Sequence, residues 1–327
     1  MTDAGPQPVN VAGMTSRAIV VVLIVLAIVG VLPLVLSNYE IGLATEVLIF
    51  GVLAMSIDIL AGFAGRTSLG HGAIFGVSGY VVVYASQAGL SPAAAIPLGV
   101  IAATLVAIIF ALLAVRTSGV YFLLLTLALG MIVWGICLRW TQVTGGENGL
   151  RGDVRPAFLV GQRAFYWSVL PATTLVSYAM WRFVRSPFGL TLLGIRDSES
   201  RMKSLGYNVP LHLFVGFAVS GFFAGIAGAL YAMFNNFVSP SAVALAQSVE
   251  GVLMMIAGGV GTLFGGFVGA AAIITLENVV SAYTERWQTV LGLTFIVIMI
   301  FAPDGIIGTL RAILPRGGQT KDRNIGN

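Results

Sequence analysis

The chain has 327 residues, of which 57% are hydrophobic and only 9% charged, where a soluble domain carries roughly 25% charged residues. Its 17 basic and 13 acidic residues cannot solvate a globule of this length, so most of its surface faces something other than water. That excludes a soluble enzyme, a disordered scaffold and a nucleic-acid binder, because the net charge of +4 comes from basic residues scattered between apolar runs.

A helix needs about 20 largely apolar residues to cross the hydrocarbon core. Ten segments read as spans: 18–36, 41–63, 73–87, 93–115, 120–138, 165–184, 211–234, 249–257, 264–280 and 289–307. The third and eighth are short and adjoin glycine clusters, which suits broken or tilted helices. The runs are continuous, without the period-two alternation of a β-barrel. The first follows a stretch with a single basic residue, Arg17, and no small-residue cleavage pattern succeeds it, so an uncleaved span is expected. The predicted fold is therefore all-α, a polytopic transmembrane helix bundle of about ten spans. Residues 1–17 form a first tail, 18–308 the transmembrane domain and 309–327 a second tail.

Basic residues set orientation. With ten spans, Arg17, Arg66, Arg116, the group from Arg182 to Lys203 and the group from Arg311 to Arg323 fall on one side. That predicts both termini in the cytoplasm. The segment 139–163 breaks the rule: it is placed outside yet holds Arg139, Arg151, Arg155 and Arg163, offset in part by Glu147 and Asp153.

Two connections are long enough to carry function. In 186–210 a turn signal, Ser186-Pro187-Phe188-Gly189, precedes a predicted amphipathic helix over 190–205. Leu192, Leu193, Ile195, Met202 and Leu205 alternate there with Arg196, Asp197, Glu199, Arg201 and Lys203, and Gly206 stops the helix. It either docks a soluble partner or lies on lipid as an interfacial helix. In 140–162 the cluster Thr144-Gly145-Gly146-Glu147-Asn148-Gly149 is too rich in glycine for a helix. It either receives a substrate or binding protein or is an ordinary turn.

Ionisable groups inside a membrane cost roughly 2.5–3.5 kcal/mol on insertion scales, which makes them candidate sites. Glu46 and Asp58 fall in the second segment, Glu250 at the end of the eighth and Glu277 in the ninth. They read as scattered, which argues against a proton relay. Asp58 is either functional, paired with Arg66, or a helix cap. The glycine clusters 66–79 and 258–269 each break one helix and start another. Their pentads Gly72-Ala73-Ile74-Phe75-Gly76 and Gly261-Thr262-Leu263-Phe264-Gly265 are either the trace of an internal repeat or chance. Gly221, Gly225 and Gly228 have the spacing for close helix packing. One cysteine, Cys137, and two histidines, His71 and His212, offer no disulfide and no metal centre. The lack of GxxxxGK[ST] and of any catalytic motif predicts no ATP hydrolysis and no enzyme activity on this chain.

Four stretches resemble the permease of branched-chain amino-acid ABC importers, in the subfamily called LivM. Gly62 to Ala73 resembles GYAGQxSLGHAAF. Gly119-Val120-Tyr121-Phe122, Thr126-Leu127-Ala128 and Thr144 to Leu150 resemble GVYFAxxTLA…TGGxxGL. Ser186 to Val209 resembles SPFGRAxxAIRExExxAxxLGxxV. Gly258 to Thr262 and Pro303 to Ile306 resemble GGxGSxxGP and PxGLxG. The departures are Asp58 where asparagine is usual, Arg66 where glutamine is usual, and Ser200 with Met202 in an often alanine-rich helix. The resemblance implies a bundle like the vitamin B12 importer permease, in a bacterial inner membrane. It implies a coupling helix whose Arg196, Asp197, Glu199, Arg201, Lys203 and Gly206 meet an ATPase subunit. Tyr121, Thr126, Gly145, Gly146, Asn148, Ser68 and His71 become candidates for the substrate pathway. The implied partners are ABC ATPases that carry ATP and Mg, a second, LivH-like permease and a periplasmic substrate-binding protein. The implied cargo is leucine, isoleucine or valine, with urea, amides or aromatic acids as alternatives. The rival reading is a stand-alone secondary transporter.

Overall fold

The computed structural model describes residues 27–159, 161–284 and 305–313, with isolated positions between 286 and 300. Residues 27–35 are helical. There follow α1 (Asn38–Asp58), prolonged by a π-helical turn at Ile59–Phe63, α2 (His71–Gln87), α3 (Pro92–Ala114), α4 (Val120–Arg139) and α5 (Gln162–Val184). Beyond them lie α6 (Pro187–Asp197), α7 (Glu199–Ser204), α8 (Val209–Asn235), α9 (Leu245–Gly258), α10 (Gly265–Ser281) and α11 (Gly305–Ile313). The starts carry the expected cap chemistry. Ser37 and Glu40 form a capping box on α1, while Ser186 accepts the Gly189 N–H, with Pro187 in the first turn of α6.

Among the described residues, four helices are long and apolar enough to span on their own: Asn38–Phe63, Pro92–Ala114, Val120–Arg139 and Val209–Asn235. About half of the first and tenth predicted segments lies outside the described residues, and α11 runs across the boundary expected at residue 308. α2 and α9 have 17 and 14 residues, about 25 and 21 Å at 1.5 Å per residue, less than a hydrocarbon core of roughly 30 Å. Both adjoin glycine breaks, as the short segments predict.

α1 and α8 form the centre. Their most apolar stretches are 72% and 61% buried, against 33% for α3 and 22% for α4. Every residue from Ile49 to Asp58 is buried, so the second half of α1 is buried all round rather than along a stripe. α8 packs on α3 and α2, and α1 packs on α10 and α5. The small residues make this close: a Cβ on Gly225 would stand 2.7 Å from Ala103 Cβ, and one on Gly228 would strike the Phe75 backbone.

Successive spanning helices alternate in direction, giving two ends. One end carries α6, α7 and the breaks at 64–70, 115–119 and 259–264. The other carries 140–161 and 236–244, where Leu150–Arg151 (β1) and Phe237–Val238 (β2) pair antiparallel. This two-residue ladder leaves the fold all-α. The glycine pentads are not equivalent in the structure: Gly72 is the second residue of α2, whereas Gly261 precedes the start of α10 by four residues.

Candidate functional site

The loop 186–210 forms two helices rather than one. Ser198 is extended at φ −163° and ψ 99°, which ends α6, and its hydroxyl accepts the Arg201 N–H to start α7. Serine competes with the helix by this local bond, a signal the apolar pattern conceals. α7 closes with the Tyr207 N–H on Met202 C=O and the Gly206 N–H on Lys203 C=O. Gly206 sits at φ +87°, so this is a Schellman cap with glycine where the left-handed conformation requires it.

The charges of this loop differ in reach. Asp197, Arg201 and Lys203 are exposed, together with the apolar Leu205 and Tyr207. Arg196, itself exposed and 3.7 Å from Asp197, and the half-buried Glu199 both reach the bundle. Arg196 Nη1 donates to the Gly62 carbonyl inside the π-helical turn. Glu199 Oε2 accepts from Arg66 Nη2 at 2.7 Å, and its other oxygen from Lys203 Nζ at 2.8 Å. The Lys203 bond, with the nearby Arg66 and Lys203 charges, holds the Glu199 carboxyl below the usual glutamate range against the opposing effect of its partial burial. Arg66 is itself buried and also donates to Thr117 C=O at 2.9 Å.

Asp58 does not pair with Arg66. Its two oxygens accept the N–H groups of Gly261 at 2.7 Å and Leu263 at 2.9 Å. It therefore caps the glycine break before α10, which of the three readings open to it is nearest the helix cap. Leu263 is held at φ +56°, a conformation that costs an L-residue roughly 1–2 kcal/mol.

The break at 64–70 is bonded in the same way. Thr126 Oγ1 accepts the Leu69 N–H at 3.1 Å, Ser68 Oγ accepts the Gly70 N–H and Ser248 Oγ accepts the Gly72 N–H. Ser220 Oγ donates to Ser56 C=O at 2.6 Å, which leaves it to accept from His71 Nε2 at 2.7 Å. That bond places the proton of a neutral imidazole on Nε2.

Over residues 39–302 the chain matches the family described as "Branched-chain amino acid transport system / permease component". The chain belongs to this family. Its similar relatives include the high-affinity branched-chain amino acid transport system permease protein LivM of Salmonella typhimurium, 25% identical over 94% of this chain and 80% of the relative. LivM of Escherichia coli K12 is 25% identical over 90% of this chain and 76% of its own length. A probable LivM of Methanocaldococcus jannaschii is 28% identical over 43% of this chain and 42% of its own. No solved structure matches. The chain is thus a multi-pass membrane permease subunit of an ABC importer, and the family works with ATPase and substrate-binding subunits.

In this permease the pathway candidates fall into two groups. Ser68, His71, Thr126 and Gly146 are buried, while Tyr121 and Asn148 are exposed and Gly145 is half-buried. Tyr121 and Thr126 lie on different faces of α4, five residues apart. Of the acids, Glu277 on α10 lies within electrostatic reach of Glu46 on α1 and of Glu250 on α9, and all three within reach of Tyr231, a convergence that only tertiary packing creates; Asp58 lies apart from them. Among the described residues no group of His, Cys, Asp or Glu is placed to hold a metal ion.

At the opposite end the glycine-rich loop is ordered. A helical turn at Thr141–Thr144 leads into the cluster, whose 3-10 turn at Gly146–Asn148 is the turn that its glycines predict. Arg155 fastens it to α8: Nε donates to Met233 C=O at 2.6 Å, Nη2 donates to Phe234 C=O, and the guanidinium lies 4.3 Å over Phe165. This gives a structural role to one of the four arginines of 139–163, since Arg155 is engaged by the last carbonyls of a helix. A surface concavity of about 630 Å3 opens beside it, lined by Arg151, Gly152, Asp153, Asn235, Asn236 and Phe237.

Proposed function

We propose that this permease carries branched-chain or related hydrophobic amino acids across a bacterial inner membrane, by alternating access driven by partner ATPases. The observation that carries the reading is the family match over residues 39–302; the relatives' names supply the substrate class. In this reading the end with α6 and α7 faces the cytoplasm with both termini, and the end with the Thr144–Leu150 loop faces the binding protein. Asp197, Arg201, Lys203 and the Gly206 cap form the surface offered to the ATPase, which binds the ATP and Mg. A second, LivH-like permease completes the pathway. The chain itself is non-catalytic, and its fold is of the vitamin B12 importer permease type.

The test is purification of the tagged chain from native membranes in mild detergent, with partners identified by mass. An ATPase and a second permease should accompany it, and the reconstituted assembly should accumulate leucine only with ATP. Recovery of the chain alone, or uptake without ATP, would overturn the reading in favour of a stand-alone carrier.

A further inference from the structure

We propose that Asp58, Arg66, Arg196 and Glu199 form a charge-crossed clasp that transmits movement of the loop helices α6 and α7 into the glycine breaks of the bundle. The proposal rests on the permease reading and assigns these four as positioning residues, none of them touching substrate.

Of the two charges of the break region, Arg66 pairs with an opposite charge from the loop, and Asp58 lies near another without an ion pair to it. Arg66 binds Glu199 at 2.7 Å. Arg196 donates to Gly62 C=O and its guanidinium lies within electrostatic reach of Asp58. The fit around Arg196 is close: a Cβ on Gly65 would stand 2.8 Å from its Cγ, and one on Gly261 would stand 3.4 Å from its Nη1. Asp58 in turn holds Gly261 and Leu263. The clasp thus links four separate pieces of backbone, including the Thr117 turn through Arg66.

Two features make this a transmission element rather than a static brace. The backbone it grips is irregular: a π-helical turn at Ile59–Phe63 and a left-handed Leu263. Such backbone has neighbouring conformations that a regular helix lacks. The loop's exposed charges also join the clasp directly: Asp197 lies 3.7 Å from Arg196, and Lys203 binds Glu199 at 2.8 Å. A partner that pushes on these charges reaches the bundle through Arg196 and Glu199.

The test uses the transporter purified with its native partners and reconstituted in vesicles, with leucine uptake and ATP hydrolysis read together. Arg66→Gln, Glu199→Gln and the double variant are compared with wild type. Each single variant should keep its ATPase in wild-type amount and lower uptake per ATP by about threefold to tenfold, and the double should be no lower than Arg66→Gln alone. Loss of the ATPase from Glu199→Gln, an unchanged ratio in the singles, or additive losses in the double would overturn the clasp.

A second readout needs no partner: trypsin cleavage at Arg201 and Lys203 in the isolated chain. The singles should be cut faster than wild type and the double no faster than Arg66→Gln. If no ATPase accompanies the wild-type chain or leucine is not taken up, the permease reading fails, and cleavage alone decides the clasp. Unchanged cleavage in the singles overturns it.

Discussion

Asp58 Oδ1 accepts the Gly261 N–H at 2.7 Å, joining two pieces of chain 203 residues apart. Oδ2 takes the Leu263 N–H at 2.9 Å, so the side chain uses both acceptor oxygens of a carboxylate. Asparagine has one acceptor oxygen and would turn its NH2 group toward an N–H. Asp58→Asn should therefore leave one buried backbone group unpaired and lose about 1–3 kcal/mol. Asp58→Ala should lose more. Cys137 is the protein's one cysteine and is buried, so a thiol-reactive dye reports the heat-induced opening of the bundle. A melting point for Asp58→Asn at or above wild type would contradict the capping role.

Gly65 answers a different question, because its φ is +69° and its missing Cβ makes room for Arg196. Gly89 has φ +83°, but a Cβ placed on it would meet nothing within 4 Å. Alanine at either position costs roughly 1–2 kcal/mol for the left-handed conformation. Only at Gly65 must Arg196 also move. Gly65→Ala should lower the melting point further than Gly89→Ala and should speed trypsin cleavage in 196–203. Equal effects at the two glycines would show that the seat of Arg196 matters little.

Several of these features are legible in the residues themselves. The continuous apolar runs, the short third and eighth segments and the glycine spacing in α8 correspond to elements of the bundle, because each is a local pattern. The motifs from Gly62 to Ala73 and from Ser186 to Val209 point to the family by their residues alone. What stays hidden depends on contacts between distant segments. Arg66 with Glu199, Asp58 with Gly261, and the meeting of Glu46, Glu250 and Glu277 leave no mark on the sequence around them. Ser198 is a partial exception, since a serine three residues before Arg201 and one before Glu199 is a helix-start signal in its own right.

The ion pair at Glu199 has a pH signature. Its carboxyl is held below the usual glutamate range, so the folded state binds a proton less readily than the unfolded chain. The stabilisation is then fully present above the unfolded value, about 4.3, and is lost as pH falls through the lower folded value. The melting-point gap between wild type and Glu199→Gln should stay constant from pH 8 to 6 and shrink below about pH 4. A gap that opens or closes between pH 6 and 8 would point to a different titrating group.

At the far end, Arg155 and Asn236 hold the segment 150–156 against the end of α8 by reciprocal bonds. Arg155 covers the Met233 and Phe234 carbonyls at the end of α8. Asn236, left-handed at φ +51°, accepts the Val154 N–H on its side chain and the Gly152 N–H on its carbonyl, both at 3.2 Å. Arg155→Ala removes a charged donor from two helix-end carbonyls and should lose about 1.5–3 kcal/mol. Arg155→Lys should recover only part, since an ammonium lacks the planar fork and its stacking on Phe165. Amide hydrogen exchange over 150–156 should quicken in Arg155→Ala while exchange over 196–206 stays as in wild type. Unchanged exchange over 150–156 would mean that the strand pair and Asn236 hold the loop without the arginine. The expected result would mean that the surface beside the concavity is preformed, so a partner docking there loses little of its binding energy to ordering the loop.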